Sequence, residues 1–337
     1  MELILRDIAL PLRHPFTIAH GTTTVQEGLL VELQDGGFSG YGEGAPLPYY
    51  GVTAATIRQA LEAARSRIES ETLDDPAALW QRLLPLLNQQ RFALCAVDQA
   101  AHDLWGKQRG QPVYRLWGLD LQRIPLSDYT IGIDTVEKMV LKMQEFDGWP
   151  IYKIKLGTPD DLTIIRELRR HTTAVFRVDA NCAWTAEQTI ANAGELQTLG
   201  VEFIEQPLRV DDWDGMRRVF AESALPVIAD ESCLVEEDVD RCQSCFHGIN
   251  IKLTKCGGMT PARRMLDRAR ALGLKVMLGC MTESTVGISA IAQFLPLLDY
   301  VDMDGAMLLA QDIATGVRLE CGRAIFPAEN GNGVRLL

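Results

Sequence analysis

The chain has 337 residues, 47% of them apolar, enough for one large or two modest domains with a full core and no need of disulfides or bound metal to fold. Lys and Arg total 33 against 45 Asp and Glu, a formal net charge of −12, and no basic stripe with interleaved aromatics occurs, which argues against nucleic acid as a partner. Eight Cys without an evenly spaced framework read as reduced thiols.

The N-terminus, Met1-Glu2-Leu3-Ile4-Leu5-Arg6-Asp7, lacks the basic start and apolar block of a signal peptide. No run approaches the ~20 apolar residues of a membrane span, so a cytoplasmic, membrane-free protein is expected.

Residues 1–45 alternate with period two (Leu3, Leu5; Leu29, Val31, Leu33) around Asp35-Gly36-Gly37, which predicts a small antiparallel sheet with hairpin turn chemistry. Gly40-Tyr41-Gly42-Glu43-Gly44 is read as a turn, because no helix follows that would make it a phosphate loop. From Thr53, a candidate N-cap, to about Arg109 the period is helical, with Leu94, Val97, Ala101, Leu104 and Trp105 on one face. Beyond Ile124, short apolar strands alternate with helices near 125–131, 151–155, 174–179, 202–205, 226–229, 248–252, 274–278 and 299–302. Eight such strands predict a (β/α)8-type barrel; the alternative, an open doubly wound sheet, lacks its glycine-rich phosphate turn here. The Gly-rich tail to Leu337 is expected to return to the first domain.

Barrel chemistry sits at the C-terminal strand ends. There the sequence places Lys153 and Lys155, then Asp179, Glu205, Asp230 and Lys252, and finally Asp302 and Asp304. The spacings from Lys155 to Lys252 are 24, 26, 25 and 22, about one strand-helix unit each, so successive strands would deliver one charged group apiece to a single mouth. Each of the three acids alone reads as a cap or a salt bridge. Together, ending apolar runs where an unpaired carboxylate is costly, Asp179, Glu205 and Asp230 suit a divalent cation with open positions, best Mg2+. Lys153 and Lys155 share a face, and crowding of two ammoniums beside a metal is expected to favour deprotonation, as a base requires. Lys252 would stand across the mouth, placed to return a proton to the opposite face of a bound carbon; its plainer reading is a partner for Asp230. Asp302 and Asp304 make a doubly anionic patch suited to a ligand ammonium, or a solvated acidic loop.

These residues fall in Lys153-Ile-Lys155, Val178-Asp179-Ala-Asn181, Ile204-Glu205-Gln-Pro207, Ala229-Asp230-Glu-Ser232, Asn250-Ile-Lys252, Gly257-Gly258 and Gly279-Cys280-Met281-Thr-Glu-Ser284. The set resembles the enolase superfamily, whose members use Lys or His bases with Mg2+, and within it the muconate-lactonising-enzyme-like subgroup. The resemblance spans nearly the whole chain. It implies an α+β capping domain (1–115, completed by 312–337) over an α/β modified TIM barrel, (β/α)7β (116–311), with loops around 16–24 and 46–52 closing on the substrate.

The subgroup includes o-succinylbenzoate synthases, N-acylamino-acid racemases and cycloisomerases on the same lysines and metal site. Val301-Asp302-Met303-Asp304-Gly305 resembles the motif by which dipeptide epimerases hold a free α-ammonium, which favours that activity; a non-catalytic binding protein would be expected to have lost a lysine or a ligand. The last His is His247, which disfavours the His-dependent sugar-acid enzymes. The resemblance then implies one Mg2+ on Asp179, Glu205 and Asp230, Lys153 beside the substrate carboxylate, and Lys155 and Lys252 exchanging roles as base and acid through an enediolate.

For specificity, Cys280, Met281, His20 and Tyr50 are expected to touch substrate. The first loop, Ala19-His20-Gly21-Thr22, lacks the Arg that Ala-Glu epimerases of the family place there, and no acid but Glu43 lies near to select a cation. An Ala or hydrophobic C-terminal residue is expected. Cys242-Gln-Ser-Cys245 with His247 lacks a second Cys pair for zinc and reads as the end of a barrel helix. The sequence leaves a homo-oligomer open.

Overall fold

The computed structural model describes residues 1–19 and 21–337. Three antiparallel strands open the chain: β1 (Glu2–Ile18), β2 (Gly21–Asp35) and β3 (Phe38–Gly44). Leu3 pairs with Leu33 and Leu5 with Val31, as the alternation requires. Register shifts between Pro11 and Phe16, then resumes from Phe16↔Thr23 to Ile18↔Gly21, so the first loop is the tip of a two-stranded ribbon.

Gly40 to Gly44 form a strand, not the expected turn. The glycines serve packing instead: a β-carbon on Gly40 or Gly42 would run into the backbone of Ala100 or Ala96, so their absence lets the third helix lie directly on the sheet. The helical region is three helices, α1 (Ala54–Ser70), α2 (Pro76–Leu87) and α3 (Arg91–Arg109). Thr53 caps α1, its Oγ1 accepting from Thr56 N at 3.2 Å.

Eight parallel strands follow: β4 (Tyr129–Ile131), β5 (Ile151–Lys155), β6 (Val175–Asp179), β7 (Val201–Glu205), β8 (Val227–Ala229), β9 (Gly248–Ile251), β10 (Lys275–Gly279) and β11 (Tyr300–Asp302), hydrogen-bonded in chain order. The closing edge carries one bridge, Ser127↔Val301. Outside run α4 (Val136–Glu145), α5 (Asp161–Arg169), α6 (Ala186–Thr198), α7 (Trp213–Glu222), α8 (Met259–Ala271) and α9 (Thr285–Ala292), with a single turn (Val239–Cys242) between β8 and β9. Among the described residues no α-helix follows β11, only the 3-10 turn Gly305–Leu308, as in a (β/α)7β barrel. The helices present spaced apolar residues inward, as α8 does with Met259, Ala262, Met265, Leu266 and Ala269, while the strands are apolar on both faces because both are covered.

The two parts meet through polar bonds beside the site. Asp98 accepts from Thr260 N and Oγ1, each at 2.8 Å; Trp80 Nε1 donates to Gly257 O at 2.8 Å; Glu43 Oε2 accepts from Ser284 N at 3.0 Å. After β11 the tail returns to α3, where Asn332 N donates to Asp103 Oδ1 at 2.7 Å. Cys242 ends its helical turn as expected, and His247 Nδ1 accepts from Val227 N at 3.1 Å. No helix among the described residues is long and apolar enough to cross a membrane.

Candidate active site

Strand register assembles the site. Lys155 pairs with Asp179, and Asp179 with Glu205, across β5, β6 and β7, so the three side chains share one layer inside the barrel top. Lys153, two residues earlier, points the same way and is 1% exposed. Its Nζ lies 2.7 Å from Asp302, 2.8 Å from Glu205 and 3.4 Å from Asp179. Lys155 Nζ donates to Asp179 Oδ2 at 2.6 Å, and Lys252 Nζ to Asp230 Oδ2 at 2.9 Å. The plain reading of Lys252 as a partner of Asp230 therefore holds geometrically, while Lys252 also faces the cavity.

Oxygens of Asp179, Glu205 and Asp230 all lie within 4.8 Å of one another, and all three side chains are buried. Glu205 Oε1 accepts from Asn250 Nδ2 at 2.8 Å. Its buried Oε2 has no hydrogen-bond partner beyond the nearby Lys153 ammonium, which leaves an acceptor for a cation. Three hard carboxylates with one under-used oxygen fit a divalent ion such as Mg2+.

The acids around Lys153 and Lys252 set their charge here, whereas the expected deprotonation concerned Lys153 and Lys155 beside a bound metal. Burial pulls the Lys153 ammonium down, but Asp302, Glu205, Asp179 and Asp128 outweigh it and raise it well above the lysine range. Burial likewise opposes, and Asp230 and Glu205 raise, Lys252. The carboxylates, and not the neighbouring ammoniums, dominate when no cation claims them. Conversely, Lys252 and Lys255 overcome burial to hold Asp230 far below the carboxylate range, and Lys155 and Lys153 do the same for Asp179. Burial raises Glu205.

The acid pair on β11 is split. Burial acts upward on Asp302, but Lys153 holds it at about 2. Asp304 is pushed up to about 8 by burial and by Asp302; its Oδ2 accepts from Thr130 N at 2.6 Å. Asp302 Oδ1 is buried without a partner. Both acids are under 6% exposed, which excludes the solvated-loop reading. Cys280 clusters with them, but burial, Asp302 and Asp304 keep its thiol protonated.

Lys155, Asp230, Lys252, Cys280, Met281, Tyr50, Asp302 and Asp304 line one cavity, while Lys153, Asp179 and Glu205 form the buried layer that those neighbours touch. His20 lies outside the described residues. Two features went unread in the sequence. Lys255 Nζ donates to Asp230 O at 2.7 Å and also bonds Oδ1; the Lys252-x-x-Lys255 spacing was its only signal. Glu231, next to Asp230, lines the cavity and is pushed up to about 8 by burial and by Asp230; Asn181 Nδ2 donates to it at 3.2 Å. Glu43, the acid expected near the substrate, is instead buried against Ser284.

Residues 1–118 match the family described as mandelate racemase / muconate lactonizing enzyme, N-terminal domain, and residues 135–337 the enolase C-terminal domain-like family. The chain belongs to the mandelate racemase / muconate lactonizing enzyme family. Among relatives of this family member is an L-Ala-D/L-amino acid epimerase from Flavobacterium johnsoniae, 55% identical over 337 residues and covered in full, as is this chain. An L-Ala-D/L-Glu epimerase from Bacteroides thetaiotaomicron is 38% identical over 99% of this chain and 88% of its own. Among solved structures, a dipeptide epimerase from Enterococcus faecalis V583 complexed with Mg and L-Leu-L-Tyr superposes with a TM-score of 0.93 at 29% identity, covering 99% of this chain and 98% of that one.

Proposed function

We propose that the protein is a dipeptide epimerase that inverts the α-carbon of the C-terminal residue of an L,L-dipeptide. The observation that carries this reading is one cavity holding two lysines on different sides of the mouth, a buried acid trio and a buried acid pair. Relatives named as epimerases of L-Ala dipeptides support it.

Asp179, Glu205 and Asp230 would hold Mg2+, and Lys153 would stand beside the substrate carboxylate. When bound, the ion supplies positive charge to that carboxylate while the α-carbon is deprotonated, favouring the enediolate. Asp302 and Asp304 take the α-ammonium, fixing the far end of the dipeptide so that its α-carbon rests between Lys155 and Lys252. One lysine removes the proton from one face and the other delivers a proton to the opposite face, and the roles reverse for the other isomer. Lys252 is held as an ammonium by Asp230 and Glu205; a cation taken up by those carboxylates would weaken that hold and let burial favour the free amine that a base requires. The ribbon tip and the loop at 46–52 shield the carbanion from water, with Cys280, Met281 and Tyr50 as walls.

Among the described residues, the capping side contributes Phe16, Ile18, Thr23, Gln26, Pro46, Leu47, Tyr49 and Tyr50 and no charged group, which supports a neutral, apolar C-terminal residue. Substrates of synthases and cycloisomerases have no ammonium for Asp302 and Asp304, so no observation favours them. The same reading divides the chain into a capping domain (1–115 with 312–337) and a barrel (116–311) working in the cytoplasm.

The test is mass spectrometry of L,L-dipeptides incubated with protein and Mg2+ in D2O. Deuterium at the C-terminal α-carbon with inversion is expected, and the inversion is lost in both Lys155→Ala and Lys252→Ala. No incorporation from any dipeptide by metal-loaded protein would refute the assignment.

A further inference from the structure

Asp179 and Glu205 are partners in the barrel ladder. Asp230 is not: the pairing of β8 with β7 ends at Ile228 and its pairing with β9 at Ala229, one residue short of the acid. The sheet therefore fixes two acids of the trio and leaves the third. Lys252 bonds Oδ2 of Asp230 and Lys255 bonds Oδ1, a pull that no ladder bond opposes.

Gln206 stands where the ladder would have continued. Its Oε1 accepts from Asp230 N and Ser232 N, each at 3.0 Å, and its Nε2 donates to Leu208 O at 2.9 Å and to Ser232 Oγ at 2.8 Å. Both acceptor sites and both protons of the amide are thus used. The backbone of the same residue reaches the neighbouring strand ends, Gln206 N donating to Ile228 O at 2.9 Å and Gln206 O accepting from Cys182 N at 2.8 Å. One fully buried residue so ties together the chain beyond β6, β7 and β8, the three strands that deliver the acids.

The conformation that allows this is a costly one. Gln206 has a φ of +33°, in the left-handed region that favours glycine, and a larger residue stays there only where its surroundings over-determine it. The four bonds of the amide offset that strain. A glycine at 206 would relax the backbone and offer Asp230 nothing.

We propose that Gln206 is the positioning residue of the metal centre: its amide replaces the missing sheet bond and holds the Asp230 backbone where the three carboxylates can share one ion. The inference rests on the reading of the trio as a divalent-cation site. Gln206 does not line the cavity and acts only through Asp230.

The experiment measures binding of Mn2+, a divalent ion suited to the same oxygen ligands, from the electron paramagnetic resonance of the free ion. It uses metal-stripped wild type, Gln206→Leu, Gln206→Gly, Ser232→Ala and Leu168→Ala. Leucine keeps the bulk at 206 and glycine relaxes its backbone, and both lack the amide. Each is expected to raise the Mn2+ Kd by about 10–100-fold, the usual effect of removing a group that orients a metal ligand. Ser232→Ala, the mildest change, removes only the hydroxyl that holds the amide and should raise Kd less, in the same direction. Leu168→Ala empties a buried position of α5, away from the trio, and should lower the urea midpoint with no change in Kd. An unchanged Kd in the folded Gln206 variants or in Ser232→Ala, or an equal rise in Leu168→Ala, overturns the positioning role. A wild type that binds no Mn2+ overturns instead the assignment of the trio to a metal.

Discussion

Lys155 and Asp179 lie in register on adjacent strands with Nζ and Oδ2 2.6 Å apart, and Lys252 with Asp230 repeats the pairing at 2.9 Å. Each lysine is thus anchored to a different acid of the trio, and both line the same cavity.

Separate anchoring makes the lysines separable by mutation. Replacing either with Ala should lower net inversion by about 10²–10⁴-fold. The remaining lysine should still exchange the α-proton of the one stereoisomer that presents it to that face. Deuterium wash-in followed separately from L,L- and L,D-substrates checks this; loss of both exchanges in both variants would show that the lysines do not act independently.

Asp304 is pushed up to about 8 by burial and Asp302, so near pH 7 it is largely protonated before substrate arrives. An ammonium beside it favours the carboxylate, so dipeptide binding should release up to one proton below pH 8 and progressively less above it. Calorimetry in two buffers of different ionisation enthalpy measures the release. An N-acetylated dipeptide, which lacks the cation, should release none through this group.

Glu43, pushed from 4.5 up to about 7 by burial, couples stability to pH. Between pH 4.5 and 7 the folded chain binds more protons at this site than the unfolded one, so its contribution to stability falls as pH rises through that window. The full loss is on the order of 3 kcal/mol, at about 1.4 kcal/mol per unit. Urea unfolding of wild type and Glu43→Gln at pH 5 and pH 8 should show a smaller pH-dependent loss in the variant.

Lys255 is buried with both of its bonds on Asp230. Lys255→Met should cost about 3–5 kcal/mol, the usual penalty for stranding one partner of a buried pair. Saturating Mg2+ should recover part of it by binding the folded state. Urea midpoints with and without Mg2+ test both statements.

The chain's own order of residues determined the strands, their alternation with helices and the charged group at each strand end. A period of two and a regular unit length of about 25 residues force those groups to one mouth. The acid trio and the three site lysines at 153, 155 and 252 were legible for that reason. What only the tertiary structure decided is set by distant contacts. Pairing with β2 made Gly40 to Gly44 a strand instead of a turn, and the close approach of α3 requires its glycines. Glu43 is buried against Ser284, 241 residues later in the chain, and does not line the cavity. The charge of Lys153 and Lys252 followed from which carboxylates they meet at 2.7–2.9 Å, because burial and Coulomb attraction oppose each other there and only distance settles which is larger.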